Sequence, residues 1–241
     1  MDATFVGHPL ADQPAPAITR EAYAAANQLD AAKPWITLMP GSRRKEVRMN
    51  LPTILDAADR LEKERLGSDY EFLLPVARTL DASFIRELVA ARSKKTQQAI
   101  SPREAHNIHL VPDALPALYH SRAGIVASGT ATVEAAIMGT PFVMVYRVSP
   151  LTYALGKPRV KVPYFAMVNL IAEEEIVPEL VQHKFTAENI VSELNKIIPE
   201  GEARTRMIRR LAAVKARLKQ ASGSGAHPSE MAAETILKMV R

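Results

Sequence analysis

Five short apolar runs, each but the last followed by a stretch whose apolar residues recur every three or four positions, constrain this chain more than any other feature. They are Trp35-Ile36-Thr37-Leu38-Met39, Glu71-Phe72-Leu73-Leu74-Pro75-Val76, Ile108-His109-Leu110-Val111, Gly124-Ile125-Val126-Ala127 and Pro141-Phe142-Val143-Met144-Val145-Tyr146. A strand buried on both faces reads as a continuous apolar run, and the helix covering it reads as a stripe. The stripes are Val47, Leu51, Ile54, Leu55, Ala58 and Leu61, then Phe84, Ile85, Leu88 and Val89, then Leu115, Leu118 and Tyr119, then Thr130 to Met138. Pro40-Gly41 stops the first strand, Asp113 is placed to cap the third helix, and Gly139 to close the fourth. Pro52 is tolerable only in a first helical turn. Alternation of this kind predicts a doubly wound, mostly parallel Rossmann-like α/β sheet. Ligands belong at the carboxyl ends of its strands, in the loops after Met39, Val76, Val111, Ala127 and Tyr146.

Composition narrows the chemistry. The 241 residues are 47% hydrophobic and 24% charged, which excludes a disordered or fibrous chain. There is no cysteine, so thiolate nucleophiles, disulfides and cysteine-ligated metals are excluded. His8, His106, His109, His120, His183 and His227 show no metal-ligand spacing with carboxylates, so no metal and no cofactor are expected. With neither a long apolar span nor a signal sequence, the chain reads as intracellular.

The net charge of +5 is carried by one segment. Between Glu202 and Lys219 stand Arg204, Arg206, Arg209, Arg210, Lys215, Arg217 and Lys219 against a single acid. Ile208, Leu211, Val214 and Leu218 make this an amphipathic helix. A solvated helix packed on its domain, a surface for anionic lipid, and a nucleic-acid surface all remain open. The absence of aromatics from the run speaks against the last.

Two loops carry candidate chemistry. Pro40-Gly41-Ser42-Arg43-Arg44-Lys45-Glu46 leaves a buried strand and opens a helix, where free amides and the helix dipole favour an anion. Gly41 lets the backbone approach a phosphate, Ser42 donates, and Arg43 forks onto a diphosphate. An ordinary strand-to-helix turn is the alternative; a Walker A loop is excluded, since the second glycine and the Lys-Ser/Thr pair are missing. Ala127-Ser128-Gly129-Thr130-Ala131-Thr132-Val133-Glu134 repeats the arrangement. Glu134 suits a ribose diol, or is simply an acid favoured by the helix dipole.

These loops, with Phe5 to Asp12, Val145 to Tyr153, Val168-Asn169-Leu170-Ile171-Ala172 and Val177 to Gln182, closely resemble the lipid-A-disaccharide synthase family in order and spacing over nearly the whole chain. The resemblance implies the C-terminal, nucleotide-sugar-binding half of a GT-B glycosyltransferase. The implied reaction is metal-free inverting transfer of 2,3-diacylglucosamine from UDP-2,3-diacylglucosamine to 2,3-diacylglucosamine 1-phosphate, releasing UDP. It places Gly41, Ser42, Arg43 and the Ser128-Gly129-Thr130 turn at the donor diphosphate, Glu134 at the ribose and Asn169 on the donor side. Arg147 and Tyr153 share a matched segment. His8, in a Gly-His-Pro turn, is expected to shape a link between domains rather than to accept a proton.

The resemblance also implies an N-terminal domain before Val6 that supplies the catalytic base, so this chain alone is expected to bind nucleotide without forming the disaccharide. Residues 1–30 are then an interdomain segment, 31–200 the nucleotide-sugar-binding domain and 201–241 C-terminal helices. The implied location is cytoplasmic and peripheral to the inner membrane, with an anionic membrane surface and a second copy of the chain among the partners and nucleic acid excluded. The family usually reads Pro-Asn-Leu-Ile-Ala-Gly-Arg where this chain has Val168 to Glu174, so Glu173 and Glu174 are expected to point away from a diphosphate. A nucleotide-sugar-binding module without turnover, another UDP-sugar enzyme such as a 2-epimerase, and an interaction protein using the basic helix are the competing readings.

Overall fold

A computed structural model describes residues 8–10, 12–64, 70–95, 107–149, 153, 162–220 and 228–240. Its centre is a six-stranded, wholly parallel sheet in the order β3-β2-β1-β4-β5-β6. The strands are β1 (Trp35–Met39), β2 (Glu71–Pro75), β3 (Ile108–Val111), β4 (Ala123–Ala127), β5 (Phe142–Tyr146) and β6 (Glu179–Val181). The first five fall on the five apolar runs. β6 was not anticipated: it has three residues, and only Leu180 is buried, too little for a periodic signal.

The helices are α1 (Arg20–Asn27), α2 (Arg44–Glu64), α3 (Ala82–Lys95), α4 (Ala114–His120), α5 (Thr130–Met138), α6 (Met167–Ala172), α7 (Ala187–Ile197), α8 (Glu202–Gln220) and α9 (Pro228–Val240). Alternation along the strands sorts the two layers. Ile36, Leu38, Phe72 and Leu74 pack in one cluster with Val47, Leu51, Ile54 and Leu55 of α2. Trp35 and Leu73, one residue out of phase, pack in the other with Tyr23 of α1 and Ala117 of α4.

Three local features differ from expectation. Residues 20–27, assigned to a connecting segment, form α1, capped by Thr19 Oγ1 accepting from the Ala22 amide at 3.2 Å. The Arg20 guanidinium lies 3.7 Å over the Trp35 ring. It donates to the carbonyls of Ala31 (2.9 Å), Lys33 (2.6 Å) and His120. Pro52 sits in the interior of the 21-residue α2 rather than in its first turn. It is exposed, as is Arg48 one turn before it, so the carbonyl left without its amide faces water. Asp113 occupies the N-cap of α4 but makes no side-chain cap bond.

The basic helix α8 is bound into the fold by its own cations. Lys215 Nζ donates to the Ile137 carbonyl at 2.9 Å, Arg217 Nη1 to Ile171 at 2.7 Å, and Arg204 Nη1 to Ile197 at 2.9 Å. These carbonyls end α5, α6 and α7, where orphan acceptors and the negative ends of helix dipoles gather. Arg206 pairs with Glu202 and Arg210 with Glu174. Five of the seven cations that suggested an anionic surface are therefore already engaged. No described helix is long and apolar enough to cross a membrane. The Ser222–Gly225 joint lies outside the described residues.

His109 yields a testable consequence. Among the described residues its buried Nε2 has no hydrogen-bond partner and lies 3.7 Å from Glu71 Oε1, and burial lowers its pKa below 6.5. The unfolded chain therefore binds more protons between the folded value and 6.5, so stability is expected to fall as pH drops through that window. Urea midpoints from pH 7.5 to 5 should decline more steeply for the wild type than for His109→Asn. Parallel curves would remove this role.

Candidate functional site

The reversal of strand order between β1 and β4 decides where a ligand can sit. The chain leaves β1 towards β2 on one side and leaves β4 towards β5 on the other, so the loops after the two adjacent strands diverge and leave a crevice. In this crevice lies a cavity of about 460 Å³, lined by Gly41, Ser42 and Glu46 after β1 and by Ser128, Gly129, Thr130 and Glu134 after β4. Val76, Ala77 and Arg78 after β2 and Pro112 to Pro116 after β3 close its far side. Four of the five strand-end loops expected at the ligand are there. Of the fifth, after Tyr146, the described residues 147–149 do not line the cavity. Arg147 turns away to donate to Thr53 Oγ1 at 2.9 Å and to the Phe185 carbonyl, with its guanidinium 4.4 Å over the Phe185 ring.

Each anion loop has a glycine where the backbone requires one. Gly129, the N-cap of α5, has φ +138°, and Gly41 has φ +121°, both strained for any residue with a Cβ. Past Gly129, the amides of Thr130 and Ala131 precede the first bond of α5, from the Thr132 amide to the Gly129 carbonyl at 3.1 Å, and both residues line the crevice. The Ser128 hydroxyl donates to the Phe165 carbonyl at 2.9 Å, leaving its lone pairs to accept. Thr79 Oγ1 donates to the Ser42 carbonyl at 2.6 Å, and Arg44 pairs with Asp81 at 3.1 Å, so the turn after β2 is tied to the loop after β1.

Arg43 stands at the N-cap of α2, outside the cavity lining. Its side chain is 82% exposed and pairs with Glu46 at 3.0 Å. Glu134 is the fifth residue of α5, past the first turn, so attraction to the helix dipole does not account for it. Burial raises its pKa, and the described residues offer its carboxylate no hydrogen bond.

Asn169 is placed differently from the expected donor contact. It is fully buried, and its amide is spent within the protein. Nδ2 donates to the Val177 carbonyl (2.9 Å) and Glu179 Oε1 (2.8 Å), while Oδ1 accepts from the amides of Ile176 (2.9 Å) and Val177 (3.1 Å). Glu179 in turn accepts from the amides of Phe165 and Ala166, and Phe165 receives the Ser128 hydroxyl. Asn169 thus reaches the cavity through Glu179 and Phe165. Glu173 takes the family's glycine position with φ 60°, and Glu174 is held by Arg210 of α8, so neither lines the cavity.

His8 Nδ1 accepts from the Leu10 amide at 3.2 Å, a local turn contact. The remaining residues of the Phe5 to Asp12 motif, except Pro9, Leu10 and Asp12, lie outside the described residues, as do the neighbours of Tyr153. Sequence reasoning left Glu46, Arg78 and Glu179 without roles. Arg78 was in principle legible, because it follows a strand end named as a ligand loop.

Comparison with known proteins agrees with this geometry. The family model for lipid-A-disaccharide synthetase matches residues 1–233. The lipid-A-disaccharide synthase of Acidobacterium capsulatum is 49% identical over 221 residues, covering 90% of this chain and 54% of that protein. The lipid-A-disaccharide synthase of Koribacter versatilis is 43% identical over 241 residues, covering 100% of this chain and 59% of that protein. The chain thus spans a little over half the length of these relatives. Among solved structures, a trehalose-phosphate synthase (UDP-forming) from Burkholderia xenovorans is similar with TM-score 0.56 at 11% identity, covering 99% of this chain and 50% of that one. A trehalose-6-phosphate synthase is similar with TM-score 0.54 at 12% identity, covering 98% and 48%. At such identities the likeness carries the GT-B fold and nothing about the substrate. Matched motifs in order, the switch-point cavity, a family model matching residues 1–233 and relatives at up to 49% identity have one common reading: the chain belongs to the lipid-A-disaccharide synthase family.

Proposed function

We propose that this chain binds the UDP end of UDP-2,3-diacylglucosamine and serves its transfer to 2,3-diacylglucosamine 1-phosphate. The convergence of two helix-opening loops on one cavity at the switch point carries this reading. In an inverting transfer the acceptor hydroxyl attacks the sugar's C1 from the face opposite the diphosphate. The C1–O bond to UDP breaks and the hydroxyl proton passes to a base. The negative charge that grows on the diphosphate oxygen is what the amides of the Gly129 turn, the Ser42 amide and Arg43 are suited to stabilise. Glu134 accepts from the ribose hydroxyls, and Asn169 and Glu179 act as positioning residues behind Ser128. The base is expected from the family's N-terminal portion. Lipid-linked substrates place the work at the cytoplasmic face of the inner membrane.

Calorimetric titration with UDP tests the assignment. Arg43→Ala and Glu134→Gln should each weaken binding by about 1.5–3 kcal/mol, the worth of a hydrogen bond to a charged group, with little change in melting temperature. Asn169→Ala should lower affinity and melting temperature together, because it leaves two buried amides and a carboxylate short of a partner. Wild-type affinity in both of the first two variants would reject the donor site.

Protonation of Glu134 supplies a further check. Burial raises its pKa, so the carboxylate that accepts from the diol is lost at a higher pH than an ordinary glutamate would be. UDP affinity should therefore fall on acidification with a component that Glu134→Gln lacks; the phosphates' own titration is common to both proteins and cancels. The preference for UDP over 2′-deoxy-UDP should shrink in the same variant.

A further inference from the structure

The loop that opens α2 already holds an anion of its own. Glu46, the third residue of α2, folds back over Gly41 so closely that a Cβ there would lie 2.8 Å from Glu46 Oε2 and 2.9 Å from Glu46 Cβ. The same Oε2 accepts from the Ser42 amide at 3.3 Å, and Oε1 accepts from Arg43 Nη1 at 3.0 Å. These are the two donors that a diphosphate would need from this loop. Glu46 is also one of the residues that line the cavity.

A second observation marks the loop as resting in a form that is not its most satisfied. Asn50, 3% exposed, lies beneath it and donates from Nδ2 to the Pro40 carbonyl at 2.9 Å. Among the described residues its buried Oδ1 has no partner. Native structures leave few buried acceptors empty, and each calls for an explanation, a segment that rearranges being one.

We infer that Glu46 is an internal anion that occupies the diphosphate subsite of the unliganded protein, is displaced when the nucleotide sugar binds, and returns as UDP leaves. The inference rests on the donor-site reading given above. Displacement exchanges one anion for another on the same amide and guanidinium, so part of the attraction that draws UDP in is offset by releasing Glu46. The returning carboxylate then competes with the product. Uridine, which brings no phosphate, has no reason to displace it.

The test is calorimetric titration of the full chain with UDP, uridine and inorganic pyrophosphate, in wild type, Glu46→Gln, Glu46→Ala, Arg43→Ala and the Arg43→Ala/Glu46→Gln double variant. Removing the carboxylate should tighten UDP and pyrophosphate by about two- to fivefold, the scale of a partly exposed ion pair. Uridine affinity should stay unchanged, and the gain should shrink when Arg43 is absent. A carboxylate that merely caps α2 would give the opposite sign, because its loss would loosen the loop and weaken UDP. Unchanged or weaker UDP binding in well-folded Glu46→Gln and Glu46→Ala therefore overturns the inference. So does failure of both variants to fold, since a carboxylate the fold cannot spare is not one a ligand displaces. If wild type itself does not bind UDP, the donor site and this inference fall together. If it binds with sensitivity to Arg43→Ala alone, only the role of Glu46 falls.

Discussion

The pairing of β1 with β2 on one side and β4 on the other is the constraint from which the rest follows. Both neighbours are parallel to β1, with Ile36 opposite Phe72 in one ladder and opposite Ala123 in the other. Right-handed crossovers then oblige α2 and α5 to start beside the same seam from different directions. The glycines at 41 and 129 let each loop turn hard at that seam. Neither helix could bring free amides to the crevice if β4 had been added beyond β3, because β2 and β3 would then separate the two loops.

Around that seam the polar groups form two tiers. Gly41, Ser42, Gly129 and Thr130 present backbone and hydroxyls to the cavity. Behind them, Thr79, Asn50, Glu179 and Asn169 hold the presenting loops by bonds that never reach the ligand space. Thr37 and Ser121 likewise satisfy one another inside the sheet at 2.6 Å. A side chain 1 Å out of place weakens an electrostatic site greatly, which is why so many buried polar groups serve loops rather than ligand.

Five of the six strands, four crossover helices and the sheet edge that carries the cavity were legible in sequence because burial on two faces leaves an unbroken apolar signature; β6 was too short to leave one. α1 was not, since among its eight residues only Tyr23 and Ala24 are buried and its anchor is a cation lying on Trp35. Asn169 shows a deeper limit. A polar residue between apolar neighbours reads equally as a ligand contact or as a hub for backbone amides, and only the four bonds it makes in the folded chain separate the two. The charge of α8 was legible but its use was not, because net charge says nothing of whether a cation faces water or a helix end. Glu46 was visible as part of a motif, yet its reach back to the Ser42 amide depends on the fold of Gly41 beneath it.

The bonds from Lys215, Arg217 and Arg204 to the ends of α5, α6 and α7 have a consequence for motion. The opening end of α5 faces the cavity while its closing end is tied to α8, and α8 holds two other helices by the same device. Fraying of α8 would release three helix ends together, so these elements should open as one cooperative unit with a shared exchange rate for their amide hydrogens. The turn at Gly129 would then inherit its order from a helix that does not line the cavity, and slow breathing there would be felt as a loss of preorganisation at the cavity.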